Sequence, residues 1–396
     1  MASEFAKFWT LDPEIAFLNH GSFGACPRPV LEAQNELRAR MERQPVQFLA
    51  RDLEGLFDGA RAALAEFVGA DAEDLVFVPN ATTGVNTVIR ALEFEAGDEL
   101  LTTDHAYNAC RNALRWQESK GVRVVTARVP WPLEGPHQIL EAVLAAATER
   151  TRLALIDHVT SPTGVIFPVA ELVRRLGERG IDTLVDGAHA PGMLPLDLRA
   201  LGAAYYTGNC HKWLCTPKGS AFLHVRGDRH ERMQPLAHGH GLNSPRTDRS
   251  AFRRRMDFTG TDDPSAFLCI PAALRFLGSL LRGGWPALMQ HNHDLVVRGR
   301  RLLLDALGIG PPAPDFMLGS LASVPLPERE VAVPAVGPFW HPLQRELLER
   351  HRIEVPVMIF PQSPRQLVRI SAQVYNSEEE YARLAAALPA AARGAR

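Results

Sequence analysis

The sequence predicts an α/β protein: a mostly parallel sheet covered by helices, followed by a smaller α+β C-terminal part. Three observations carry this. Short aliphatic runs alternate with segments of helical period between Leu75 and Val185, the pattern of strands joined by helical crossovers. Polar clusters recur directly after the strand-like runs, at 80–83, 104–108, 161–164 and 186–189, where open α/β sheets gather their binding groups. The chain has 396 residues, more than one core usually serves, and its texture changes past Lys212.

In order along the chain, apolar residues at helical spacing predict helices over 28–43, opened by Pro27 and Pro29, and over 52–68. Leu75-Val76-Phe77-Val78 reads as a strand and 83–92 as a helix. Strand 99–101, helix 108–120, strand 122–125, helix 137–148, strand 153–156, helix 169–179 and strand 181–185 continue the alternation. The segment 246–255 is strongly basic and reads as a loop, whereas 264–281 and 287–307 resume a helical pattern. Prolines between 311 and 342 break the remainder into short strands and turns. A helix over 344–351, a strand at 368–370 and a final helix from Glu378 close the chain, and 390–396 is expected to fray. The expected organisation is an N-terminal segment, 1–30, a large domain, 31–263, and a small C-terminal domain, 264–396.

Hydrophobic residues make up 46% and charged residues 22%, which excludes a disordered chain. A formal charge of -2 provides no basic field for nucleic acid or an anionic membrane. No apolar stretch approaches the ~20 residues that span a bilayer, and residues 1–17 lack a secretory signal pattern, so a cytoplasmic location is expected. The five cysteines, Cys26, Cys110, Cys210, Cys215 and Cys269, form no CxxC pair and are expected to be reduced. Histidine pairs at 238/240 and 291/293 match no recognised zinc pattern, so no metal is expected.

The chemistry centres on Lys212, in Gly208-Asn209-Cys210-His211-Lys212-Trp213, and on Asp186-Gly187-Ala188-His189, 26 positions earlier. A lysine amine can hold an aldehyde as a Schiff base, and a carboxylate can keep a pyridine nitrogen protonated so that the ring accepts electrons. Together they point to pyridoxal 5'-phosphate (PLP). Ala81-Thr82-Thr83-Gly84 lies between a strand and a helix, where backbone N–H groups converge on an anion; a threonine acting as an ordinary N-cap explains the segment equally well. No P-loop or dinucleotide fingerprint is present. Arg369 provides the guanidinium fork that suits a carboxylate.

These motifs, with Phe17-Leu18-Asn19-His20-Gly21-Ser22-Phe23-Gly24 and Val368-Arg369-Ile370-Ser371-Ala372-Gln373-Val374-Tyr375-Asn376, resemble the class V aminotransferase family of PLP-dependent fold-type I enzymes. The resemblance covers nearly the whole chain and is strongest to the isopenicillin N epimerase-like branch, which is related to ergothioneine-pathway C–S lyases and cysteine desulfurases. It implies a seven-stranded, mostly parallel sheet in the large domain and an N-terminal segment that contributes to the site. It further implies Lys212 as the Schiff-base lysine, Asp186 as the partner of the pyridine nitrogen and His189 at the phenolic oxygen. Thr82, Thr83 and Asn209 would hold the phosphate and Tyr107 would stack on the ring. Thr261 would reach a neighbouring subunit's phosphate, which implies a homodimer with shared active sites. Arg369 would bind the α-carboxylate of an amino-acid substrate, with Asn19 as a further substrate-side residue. Arg51, in Phe48-Leu49-Ala50-Arg51, either engages a distal group of the substrate or stands as an exposed arginine at a helix start.

The common chemistry implied is a stabilised carbanion, which leads to epimerisation, to C–S cleavage of an S-substituted cysteine or its sulfoxide, or to transamination. A persulfide-forming desulfurase is disfavoured because 353–365 contains no cysteine. A non-catalytic PLP-fold binding protein is the alternative from another class.

Overall fold

The computed structural model describes residues 3–328 and 340–394. Part of the proline-rich stretch between 311 and 342 therefore lies outside the described residues.

A short strand, β1 (Ala16–Phe17), precedes the main sheet. That sheet contains β2 (Leu75–Val78), β3 (Glu99–Thr103), β4 (Arg123–Ala127), β5 (Thr151–Asp157), β6 (Asp182–Asp186), β7 (Tyr205–Asn209) and β8 (Ala221–Val225), in the order β2-β8-β7-β6-β5-β3-β4. β8 pairs antiparallel with both β2 and β7, whereas the other pairings are parallel. The sheet is buried on both faces, as helical crossovers require. Consecutive side chains enter opposite cores: Leu153, Leu155 and Leu184 pack with Val85, Val88 and Leu114, while Ala154, Ile156 and Val185 pack with Leu64, Leu172 and Phe167.

The C-terminal part holds β9 (Leu321–Pro325), β10 (Ile353–Glu354), β11 (Val357–Ile359) and β12 (Gln366–Ser371). β9, β11 and β12 form an antiparallel sheet in the order β11-β12-β9, while β10 pairs in parallel with β1 and ties the N-terminal segment to this region. Its core sets Ala322, Val324, Val368 and Ile370 against Leu295 and Leu303 of helix Gly284–Leu307 and Leu384 and Leu388 of helix Glu378–Gly394. Ile270, Ala313 and Met317 belong instead to the core of the large sheet. No single helix among the described residues is long and apolar enough to cross a membrane.

The alternation of strands and helices runs as expected through β6, with shifted ends. The helix expected over 83–92 starts at Ala81, and the one expected over 108–120 is α-helical to Arg115 and then tightens into a 3-10 turn over Trp116–Lys120. Two readings require correction. The basic stretch 246–255 is not simply a loop: Ala251–Met256 is a helix whose N-cap Ser250 accepts the Arg253 N–H. Arg253 is 4% exposed and paired with carboxylates, so charge here does not mean solvation. The tail from Ala390 continues as helix to Gly394, with Leu388 and Ala391 in the C-terminal core.

Candidate active site

The carboxyl ends of β5, β6 and β7 lie side by side and deliver Asp157, Asp186 and Asn209 to one place. A cavity of about 530 Å³ opens there, lined by Ser22, Tyr107, Asp157, Ser161, Asp186, His189, Asn209 and Lys212, and by 80–83 at the start of helix Ala81–Ala91. Two glycines permit the close approaches. A Cβ on Gly84 would meet Thr207 Oγ1 at 2.3 Å, so glycine lets the helix start lie against β7. Gly24 has φ +70 and its Cβ would meet the His211 carbonyl oxygen at 2.2 Å, so the N-terminal segment sits directly on the lysine loop.

Lys212 is held from behind. The Cys210 and His211 amides both donate to the Ser220 carbonyl at 3.0 Å, and His20 Nε2 donates to the Lys212 carbonyl at 3.0 Å. His20 Nδ1 is therefore the acceptor for the Tyr375 hydroxyl at 2.8 Å; burial pushes this imidazole down to about 3, which keeps it neutral. The Lys212 amine lies 3.1 Å from His189 Nε2. Burial first, and then Arg369, lower Lys212 to about 7. His189 is itself buried and held well below its usual range, chiefly by desolvation and then by Lys212. The Trp213 indole N–H donates to His189 Nδ1 at 3.3 Å. Indole can only donate, so the single imidazole proton sits on Nε2 and faces the Lys212 amine.

Asp186 Oδ1 accepts the Ala188 amide at 3.0 Å and Oδ2 accepts the Cys110 thiol at 3.1 Å. At the other end, Asn80 is the helix cap, accepting both the Thr83 amide at 2.8 Å and the Thr83 hydroxyl at 3.0 Å. Asn209 Oδ1 takes the Ala81 amide at 2.8 Å. Capping thus falls to Asn80 rather than to a threonine, and Thr82 and Thr83 line the cavity at the positive end of the helix. The residues present therefore fit PLP: a buried amine, a buried carboxylate and an anion-binding helix start share one cavity.

Arg369, on β12, lies behind the cavity wall. It donates to the Ser161 carbonyl at 2.6 Å, the Ser161 hydroxyl at 3.1 Å and the Ser22 hydroxyl at 3.0 Å. It is 2% exposed, its Nε has no acceptor, and among the described residues no carboxylate pairs with it. Burial lowers it to about 10. Tyr107 stands on the cavity wall, 47% exposed, whereas His105 is fully buried among Trp131, Phe167 and Phe360. Of the two rings, Tyr107 is the one available to cover a ligand.

Three expected residues lie elsewhere. Asn19 does not line the cavity: it donates to Glu354 at 3.1 Å and accepts the Ser22 hydroxyl at 2.5 Å, so it acts on Arg369 only through Ser22. Arg51 is exposed on the π-helical turn Gln47–Asp52 and donates to Gln47 at 3.1 Å, away from the cavity; its side chain follows that turn rather than the sheet. Thr261 lines a separate surface pocket with His238, His240, Leu242 and Phe258. Conversely, Cys110 and Asp157 belong to the site without having been given a role there, and Ser22 and Ser161 stood in quoted segments without one. Asp157 could have been found from its place at the end of a strand, whereas Cys110 lies inside a helix and carried no such signal.

The class V aminotransferase family model matches residues 22–325. The chain is 36% identical to "Isopenicillin N epimerase" of Streptomyces clavuligerus, covering 96% of both chains. It is 31% identical to "Probable L-cysteine desulfhydrase, chloroplastic" of Arabidopsis thaliana, covering 96% of this chain and 83% of that one. Among solved structures, a C-DES variant with glycine covalently linked to the PLP cofactor superposes with a TM-score of 0.78 at 22% identity, covering 95% of this chain and 96% of the other. The chain belongs to the class V aminotransferase family and is a PLP-dependent enzyme of fold type I.

Proposed function

We propose that the enzyme breaks a bond at Cα or Cβ of an amino-acid substrate, with isopenicillin N epimerase-like chemistry as the first reading. The observation that carries this is Arg369: a buried cation without a carboxylate partner, beside a lysine amine lowered to about 7. An uncompensated guanidinium is costly in the interior, and a substrate carboxylate would complete it. Bound PLP supplies an electron sink for the bond being broken. The protein supplies the rest. Lys212 holds or releases a proton near Cα, His189 Nε2–H orients that amine, and Asp186 balances a protonated pyridine nitrogen. Thr82, Thr83 and Asn209 receive the phosphate, and Tyr107 covers the ring and excludes water.

C–S lyase chemistry is the second reading, favoured by the similarity to a cysteine desulfhydrase. We also propose a homodimer in which Thr261 serves the neighbouring subunit's cavity; its pocket is flanked by exposed Leu242 and Phe258, 55% and 37% accessible, a surface that favours burial against another chain. The setting proposed is the cytoplasm, where five buried, unbridged cysteines stay reduced.

The deciding experiment is an NMR time course of the PLP-loaded protein in heavy water with a panel of amino acids and S-substituted cysteines. Deuterium incorporation at Cα with inversion and without pyruvate supports the epimerase reading, and pyruvate release supports the lyase. Exchange at no substrate overturns both.

A further inference from the structure

A second carboxyl shares the cavity floor. Asp157 ends β5 directly beside Asp186, its register partner on β6. Both are 3% exposed and both line the cavity. Their surroundings differ. Asp186 receives the Ala188 amide and the Cys110 thiol on its two oxygens. Asp157 Oδ2 is fully buried without any hydrogen-bond partner.

Two adjacent carboxylates in a desolvated floor cannot both ionise. The donors select which one does: they converge on Asp186, whereas an ionised Asp157 would leave a charged oxygen stranded. The other charged and titratable groups that act on this pair are Arg111, Cys110, Tyr107, Tyr206 and Lys212. Burial and the Asp186 charge also push Asp157 well above the usual carboxylate range.

We propose that Asp157 works as a neutral acid beside Asp186, so that a single negative charge, on Asp186, faces the pyridine nitrogen. This deepens the PLP reading and assigns a residue that no recognised motif contains. A neutral amide has the same shape as a neutral acid, so Asp157→Asn keeps this arrangement.

Infrared difference spectra of the cofactor-free protein at pH ~8, where ordinary carboxyls are ionised, test the charge state. The expected result is the carbonyl stretch of a buried, protonated carboxylic acid in the wild type that disappears in Asp157→Asn. Its absence from the wild type, or its persistence in the variant, overturns the proposal even if no PLP is ever bound. PLP affinity tests the charge balance: Asp157→Asn should stay within about twofold of wild type, and a loss of about tenfold or more would mean that a charge on Asp157 is needed and that the neutral-acid role is wrong.

Discussion

Two regions of this molecule bury arginine, and they do so in opposite ways. Near helix Ala251–Met256, Arg61 and Arg253 are 1% and 4% exposed and both are paired with carboxylates, although Arg61 Nε has no acceptor. Arg61 meets Asp257 at 2.7 Å, and Arg253 meets Asp58 and Glu73 at 2.6 Å and Asp257 at 3.0 Å. In the cavity, Arg369 is equally buried but holds only two serines, and Lys212 holds only a neutral histidine. Removing a charge from water costs several kcal/mol unless it is paired, against a total stability of about 5–15 kcal/mol. The paired cluster is architecture. The unpaired one, on the function proposed above, is completed by a ligand.

The largest effect that would break this contrast is at Lys212. Lys212→Ala should lose the visible absorbance of lysine-bound PLP and reduce turnover roughly 10,000-fold; an unchanged spectrum would remove the residue from its assigned role. In the wild type, capture of added PLP should accelerate as pH rises through about 7, because only the neutral amine attacks an aldehyde. A midpoint near the ordinary lysine value of ~10.4 would mean that the cavity charge is compensated after all. Arg369→Ala should raise KM about 100-fold, the scale of a charge-assisted carboxylate contact, with PLP still bound; loss of PLP would contradict its assignment to the substrate. Asp257→Ala should leave activity within about twofold but cost about 3 kcal/mol of stability, because it strips Arg61 and Arg253 of a shared acceptor. Denaturant titration beside an assay separates the two outcomes.

Much of the site was legible because its residues stand in short contiguous motifs. Lys212, His189, Asp186, Thr82, Thr83, Asn209 and Tyr107 all meet at one cavity. The parallel strands were legible through β6 because each is a buried aliphatic run bounded by helical segments. The β7–β8 hairpin was harder to read: β7 ends in Gly208-Asn209, and its pairing with β8 depends on residues across a loop. Asn19 was credited with substrate contact as part of a motif, and Arg51 either with substrate contact or with an exposed place at a helix start, the second of which is where it stands. Helix geometry turns Arg51 outward, and Asn19 reaches only Ser22.

By itself, the sequence determined the α/β alternation and singled out the lysine, carboxylate and arginine that we propose for cofactor and substrate, because periodicity and local motifs depend on neighbours along the chain. Only the tertiary structure decided which charges are paired, which histidine nitrogen carries the proton and that Asp157 lies against Asp186. Those properties depend on burial and on side chains far apart in sequence: Trp213 with His189, Cys110 with Asp186, Ser22 with Arg369. Protonation and charge are set by what surrounds a group in space.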